Sequence, residues 1–311
     1  MSQAVVTVIV VSDYNSAEQR TWNDERSCLE AVAAQDLTEP FEVIVAEDEK
    51  YRATFPSELL SIVPGSRVIF SAKSSSYGLK NAGARAAESP IVVLLDADCK
   101  PDRDWLRLIV ETMRAHPDVA TVSGRTFYEG KGLDTRVLAL LSRSYLDPGV
   151  RGETPFVSNN AGAFRREVFL KHPLPEDLGA FSSRIQSEAI KRDGGILWFE
   201  PAMRVVHEFE GWPMEADIRR NIGYGTIATR IAEPTMPHAS LIRMGVVATP
   251  VVAAGKLINT WRDCIRCGSA YGVRWFELPV AMGAAVVVNL MEIPGMLAAY
   301  RHGSIQGTAY R

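Results

Sequence analysis

Residues 89–104 read SPIVVLLDADCKPDRD, and no other stretch limits the fold as tightly. Five consecutive apolar residues, 91–95, are the mark of a strand covered on both faces, typically an interior parallel strand. The run stops at two carboxylates one residue apart, Asp96 and Asp98. Side chains alternate in extended backbone, so both carboxylates project to one side and Ala97 to the other. In open α/β sheets, ligands bind beyond the carboxyl ends of such strands. Acidic oxygens in that position suit a hard divalent cation that also bridges phosphate oxygens. A bare D-A-D is more often a cap for a following helix, expected over 102–115. The rest of the chain has to decide between the two.

A second apolar run, 5–11, ends in Ser12, Asp13, Tyr14 and Asn15. Helical spacing of Leu29, Val32 and Ala33 predicts a helix over 24–34. FEVIVA (41–46) is the next strand and closes on Glu47, Asp48 and Glu49; SRVIF (66–70) is a fourth. A Ser/Gly stretch at 74–78 leads into a small-residue helix over 79–87. Strands alternating with helices predict an α/β fold with a mostly parallel sheet and right-handed crossovers. No G-x-G-x-x-G follows the first strand, which argues against a dinucleotide-binding domain. Three strands thus end in acidic or polar clusters, and three along one sheet edge make a site.

The ordered pieces VIVVSDYN (8–15), VIVAED (43–48), GLKNAGARAAESPIVVLLDADCKPDRDWL (78–106), SNNAGAFRREVF (158–169) and GGILWFEPAMRVVHE (194–208) resemble the family-2 glycosyltransferases, whose nucleotide-sugar-binding fold is GT-A. The resemblance covers roughly the first two thirds of the chain, and its residue assignments follow the family pattern. Tyr14 and Asn15 would lie by the nucleotide, and Asp48, with Glu47 beside it, would hold the base or ribose. Lys80 stands where the family usually has Arg, followed by Asn81. Asp96 and Asp98 would hold a divalent metal, Mn²⁺ or Mg²⁺, on the diphosphate of a UDP- or GDP-sugar. Asn159 and Asn160 would face the donor sugar and acceptor. His207 would complete the metal or diphosphate site, and an imidazole ligand tilts the preference toward Mn²⁺. A cation there stabilises the charge that develops on the leaving diphosphate.

One departure matters. An inverting member takes the acceptor proton with a carboxylate, usually from an E-D pair. Counting back from Gly194 and Pro201 puts that pair on Ser182 and Ser183. A nearby carboxylate is therefore expected to substitute: Glu188, on a helix predicted over 184–191 behind a Ser183/Gln186 capping box, or Glu176 and Asp177. A retaining enzyme, or a domain that binds a sugar nucleotide without transferring it, would need no such group. A nucleotidyltransferase is disfavoured because its Gly-rich phosphate loop is missing.

The chain is expected to divide into a GT-A-like domain, 1–215, and a helical apolar region, 216–311. From Gly211 onward there are ten Lys+Arg against six Asp+Glu, and before it 24 against 31. This asymmetry points to a membrane surface and not to nucleic acid. Stretch 244–255 carries no charge and 278–300 only Glu292. The first falls short of the roughly 20 residues of a crossing helix. If both crossed, Lys256, Arg262, Arg266 and Arg274 would lie opposite the catalytic domain, against the positive-inside tendency. Interfacial or re-entrant helices at the inner membrane face fit better, with a plain helical appendage or homodimer interface as the alternative. Trp212, Arg219 and Arg220 are candidates to close over the donor or read the acceptor. Four cysteines and a start without a basic n-region predict a cytoplasmic protein. The family resemblance implies a hydroxyl acceptor, lipid-linked or on a glycan.

Overall fold

The computed structural model describes residues 3–12, 22–73, 75–176, 178, 181–209 and 211–301. The strands among them are β1 (Val6–Val11), β2 (Phe41–Asp48), β3 (Arg67–Ser71), β4 (Ile91–Asp96), β5 (Cys99–Pro101), β6 (Val119–Tyr128), β7 (Gly152–Glu153), β8 (Gly162–Arg165) and β9 (Ile196–His207). They form one mixed sheet in the order β3-β2-β1-β4-β8-β6-β9-β5, with β7 beside β9. The first four lie parallel, as the apolar runs require. β8 runs antiparallel between β4 and β6, and β6 and β9 are again parallel.

Alternation sorts the strand residues onto two faces. Val93, Leu95 and Ala97 pack with α1 (Asn23–Ala33) and α3 (Trp105–Ala115). Val92 and Leu94 pack with α2 (Ser76–Ala86) and α5 (Arg166–Lys171). Burying each such side chain contributes about 1.5–3 kcal/mol, which makes this double-sided sheet the thermodynamic base of the molecule. Register then lines up the functional ends: Val11 pairs with Asp96, and β2 runs on to Asp48 opposite Ser71. The helix expected over 102–115 begins at Trp105 because residues 99–101 are drawn into the sheet, where Cys99 pairs with His207. No capping box forms at α6 (Ser182–Arg192), which starts one residue ahead of Ser183; Gln186 instead donates to the carbonyl of His172 at 2.7 Å.

After β6 comes α4 (Leu133–Arg143), and it carries the C-terminal helices: α7 (Trp212–Ala232), the short α8 (Ala239–Ile242), α9 (Thr249–Cys267) and α10 (Leu278–Tyr300). Leu138 and Leu141 of α4 share a core with Cys264 and Cys267 of α9 and Ala281, Ala285 and Val288 of α10. The uncharged stretch 244–255 is not one helix; a 3₁₀ turn, Gly245–Ala248, precedes α9. Glycines fix how α7 meets α10. A Cβ on Gly223 would stand 1.9 Å from the carbonyl oxygen of Glu292, and one on Gly295 would stand 1.9 Å from that of Arg220. Both backbones are rigid helix, so neither clash is relieved by a side-chain rotation. Gly295→Val is expected to lower stability by about 3 kcal/mol or more, read as a lower urea midpoint, because overpacking at a backbone contact forces the helices apart.

Candidate active site

The C-terminal end of β4 delivers Asp96 and, two residues later, Asp98, and both are almost wholly buried. Asp96 meets the fully buried ammonium of Lys80, reaching up from α2, at 2.6 Å. Asp98 lies 3.3 Å from Nε2 of His207, the last residue of β9. Backbone bonds hold this pair in place: Ala97 N–H donates to Val11, Asp96 N–H to the carbonyl of Asn160, and Glu208 N–H to that of Asp98. Thus β1, β8's approach and β9 all clamp the D-A-D turn.

The histidine's other nitrogen settles its tautomer. Nδ1 lies 2.7 Å from the carbonyl oxygen of Glu208, which can only accept, so Nδ1 carries the hydrogen. Nε2, the ring's second nitrogen, faces the Asp98 carboxylate. An imidazole nitrogen and a carboxylate oxygen at that spacing are a pair that a divalent cation can share. Asp98, Cys99 and His207 offer ligand atoms that all lie within 4.8 Å of one another. Burial, with Asp98 and Asp96 nearby, pushes the Cys99 thiol well above its ordinary value. Cys99 therefore stays a protonated, apolar neighbour, and the oxygen–nitrogen pair of Asp98 and His207 is the set that suits Mn²⁺ or Mg²⁺.

In front of the two aspartates lies a small cleft of about 60 Å³ lined by Tyr77, Asp96, Tyr128, Arg143, Asn159, Asn160 and His207, among others. With the Asn160 amide assigned so that its nitrogen donates to Ser158, its oxygen accepts from Arg143 at 2.9 Å, and the Arg143 guanidinium lies 5.7 Å from the Tyr128 ring centre. Arg143, Tyr128 and Tyr77 were not singled out from sequence. Arg143 closes a helix with no motif around it, so only the fold brings it to the cleft.

The remaining sequence candidates fall as follows. Asp48 is buried, accepting from Lys50 N–H at 3.0 Å with the Lys50 ammonium at 3.4 Å, and Glu47 accepts from Asp48 N–H at 2.7 Å. Asn81 sits beside Lys80 but its amide bonds both ways to Leu174, which pins the 172–176 loop. Glu188 is about a quarter exposed and pairs with Lys191 at 2.7 Å; it is not among the cleft-lining residues. The Lys73 ammonium holds the Glu176 carboxyl below its ordinary value. Arg219 is buried against Glu215 at 2.6 Å, Arg220 pairs with Asp217 at 3.2 Å, and Trp212 is exposed. Tyr14, Asn15 and Asp177 lie outside the described residues.

The family model described as Glycosyl transferase family 2 matches residues 8–172, more than half of the chain and every strand that builds the aspartate edge except β9. The chain belongs to glycosyl transferase family 2. The mixed, mostly parallel sheet flanked by helices is the GT-A fold of the solved glycosyltransferases that it resembles. A mannosyltransferase from Pyrobaculum calidifontis, PcManGT, in complex with GDP-Man and Mn²⁺, superposes with a TM-score of 0.61 at 18 % identity, over 97 % of this chain and 89 % of that one. S. aureus TarS 1–349 in complex with UDP-GlcNAc gives 0.52 at 12 % identity, over 97 % and 93 %. At these identities the likeness concerns the fold. No curated protein matches the sequence.

Proposed function

We propose that this family-2 member transfers a sugar from a nucleoside diphosphate, UDP or GDP, to a hydroxyl acceptor with a divalent metal on the diphosphate. The observation that carries the reading is the Asp98–His207 pair, with the histidine hydrogen committed to Glu208 and the second nitrogen turned to the carboxylate. PcManGT was solved with GDP-Man and Mn²⁺ and TarS with UDP-GlcNAc, which favours the same ligand class here. Asp98 and His207 would hold the metal, which supplies charge neutralisation to the departing diphosphate. Asp96 is held by Lys80, and the buried ammonium adds positive charge at the same strand end. Asp48 and Glu47 stand at the neighbouring strand end and would take the nucleoside, a role the family pattern also gives to Tyr14 and Asn15; Asn81, bonded to Leu174, would support the site through the 172–176 loop. Asn159 and Asn160, on the cleft wall, face the transferred sugar.

For an inverting transfer the acceptor proton needs a carboxylate, and the candidates are Asp177 and Glu188, which lies outside the cleft lining and would have to give up Lys191. Release of nucleoside diphosphate from GDP- and UDP-sugars in Mn²⁺, with and without Glu188→Gln, is the test. Turnover that falls about 100-fold or more in the variant supports the base. Full turnover in the variant moves the role away from Glu188, and a donor bound without turnover marks a binding protein.

The helical C-terminal region would rest on the inner membrane face. Val251, Ile258 and Ile265 recur every seven residues on α9, and all three are exposed; Trp275, Phe276, Val280 and Val287 add to the apolar surface around α10. The stretch Trp275–Tyr300 is long and apolar enough to cross a membrane by composition, with 39 % of its apolar window buried inside the protein. Glu292 in its middle is buried and pairs with Lys256 at 2.5 Å, which ties α10 to α9.

A further inference from the structure

A larger cavity, about 490 Å³, opens beside the cleft and shares Ser142, Tyr145, Phe181 and Ile222 with it. α4, α6, α7, α9 and α10 all contribute to its wall, so it exists only where the C-terminal helices meet the catalytic sheet's helices. Its charge is one-sided. Arg184, Arg219, Arg230, Lys256, Arg262 and Arg266 line it against Asp263 and Glu292.

Internal pairing accounts for part of this charge. Glu215 and Glu292 neutralise Arg219 and Lys256, and Asp263 pairs with Arg266 at 2.6 Å. Arg184, Arg230 and Arg262 remain without a carboxylate within ion-pair distance among the described residues. Arg184 makes no side-chain hydrogen bond among them and stacks over Phe156 at 4.7 Å. Arg230 spends its donors on the carbonyls of Pro237 and Thr226, which carry no compensating charge. Burial, and the nearness of Arg184, push the Arg230 guanidinium down to about 10. Two guanidiniums in one partly desolvated cavity, with Glu188 acting on Arg184 only from beyond ion-pair distance, repel each other in the free protein, and an anion between them removes the cost. Phosphate is the natural fit, since guanidinium forks match its oxygens in pairs.

We propose that this cavity is the acceptor's anion site, and that the acceptor carries a phosphate or diphosphate ester held by Arg184 and Arg230, with Arg262 at the mouth, while its hydroxyl reaches the cleft. The inference rests on the transferase reading and names the acceptor class for it. Apolar walls from Leu141, Tyr145, Phe156 and Phe181 accommodate a less polar portion of the same molecule. The ester is either a lipid phosphate or a water-soluble one, and the chemistry of the site is the same for both.

The test is a binding titration on the full chain in chelator, which leaves the metal-dependent donor site unloaded. The probes are decyl phosphate below its micelle concentration, inorganic pyrophosphate, and uncharged octyl glucoside. Decyl phosphate or pyrophosphate is expected to bind saturably, and Arg184→Gln/Arg230→Gln to weaken it at least tenfold. Arg204→Gln, an exposed arginine paired with Asp102 away from this cavity, is expected to change nothing. Decyl phosphate bound at least tenfold tighter than pyrophosphate marks a lipid acceptor; comparable binding marks a soluble ester. Affinity unchanged in the double variant, or phosphate probes no better than octyl glucoside, overturns the proposal. If the double variant fails to fold, the exposed Arg262→Gln alone must weaken the phosphate probe at least threefold for the site to stand. Donor binding in Mn²⁺, measured separately, keeps the two failures apart: its loss sinks the transferase reading, whereas lost arginine dependence sinks only the anion site.

Discussion

Asp98→Ala is expected to reduce metal-stimulated turnover by about 10³-fold while the protein still folds. The variant removes the carboxylate that faces Nε2 of His207 and leaves the Lys80–Asp96 pair untouched. A divalent cation on a departing diphosphate is worth several kcal/mol of charge stabilisation, and about 4 kcal/mol corresponds to three decades in rate. Folding is expected to survive because the β4–β5 turn is held by main-chain bonds, Ala97 to Val11 and Glu208 to Asp98, which a side-chain truncation does not break. The measurements are nucleoside diphosphate release against Mn²⁺ concentration, and thermal unfolding with and without Mn²⁺. Wild-type protein should gain melting temperature with the ion by mass action, and Asp98→Ala should not. Turnover that stays within threefold of wild type, with the same Mn²⁺ response, would remove Asp98 from the metal site.

That aspartate pair was legible from sequence because a buried parallel strand leaves a period-two pattern and a fixed chemical direction at its end. Val92 and Leu94 pack on the α2 side while Ala97 packs with α1 and α3, as alternation requires, and Asp96, in step with Val92 and Leu94, meets Lys80 of α2. Local patterns of this kind carried β1, β2, β4 and α2 to within a few residues. What they could not carry was pairing across long sequence distance. Nothing in residues 99–101 announces a strand; it forms because Cys99 meets His207 more than a hundred residues later, and that pairing is what brings the imidazole to Asp98. Arg143 and Tyr128 likewise reach the cleft through α4 and β6, elements whose sequence bears no motif. The Ser183/Gln186 capping box failed for a related reason: a tertiary partner, the carbonyl of His172, took the Gln186 side chain. The C-terminal glycines Gly223 and Gly295 read as ordinary small residues until the helices are seen to touch there.

Lys80→Met is expected to destabilise the fold by about 3–5 kcal/mol, the usual result of removing one member of a buried ion pair. Lys80 is inaccessible to solvent, and Asp96, which it meets at 2.6 Å, is nearly so. Methionine fills most of the lysine stem's volume, so the loss is electrostatic: it removes the ammonium partner of a carboxylate that is almost wholly buried at the cleft wall. The double variant Lys80→Met/Asp96→Asn should recover much of the loss, because the stranded charge is then gone as well. Urea unfolding of the two single variants and the double variant measures the coupling directly. Mn²⁺ adds a second, functional reading of the same cycle. With the ammonium removed, Asp96 becomes available to the cation alongside Asp98 and His207, so Lys80→Met should gain more stability from Mn²⁺ than wild type does. Equal gains in both proteins would mean that Asp96 lies outside the metal's reach and that its task is to anchor Lys80 beneath the diphosphate.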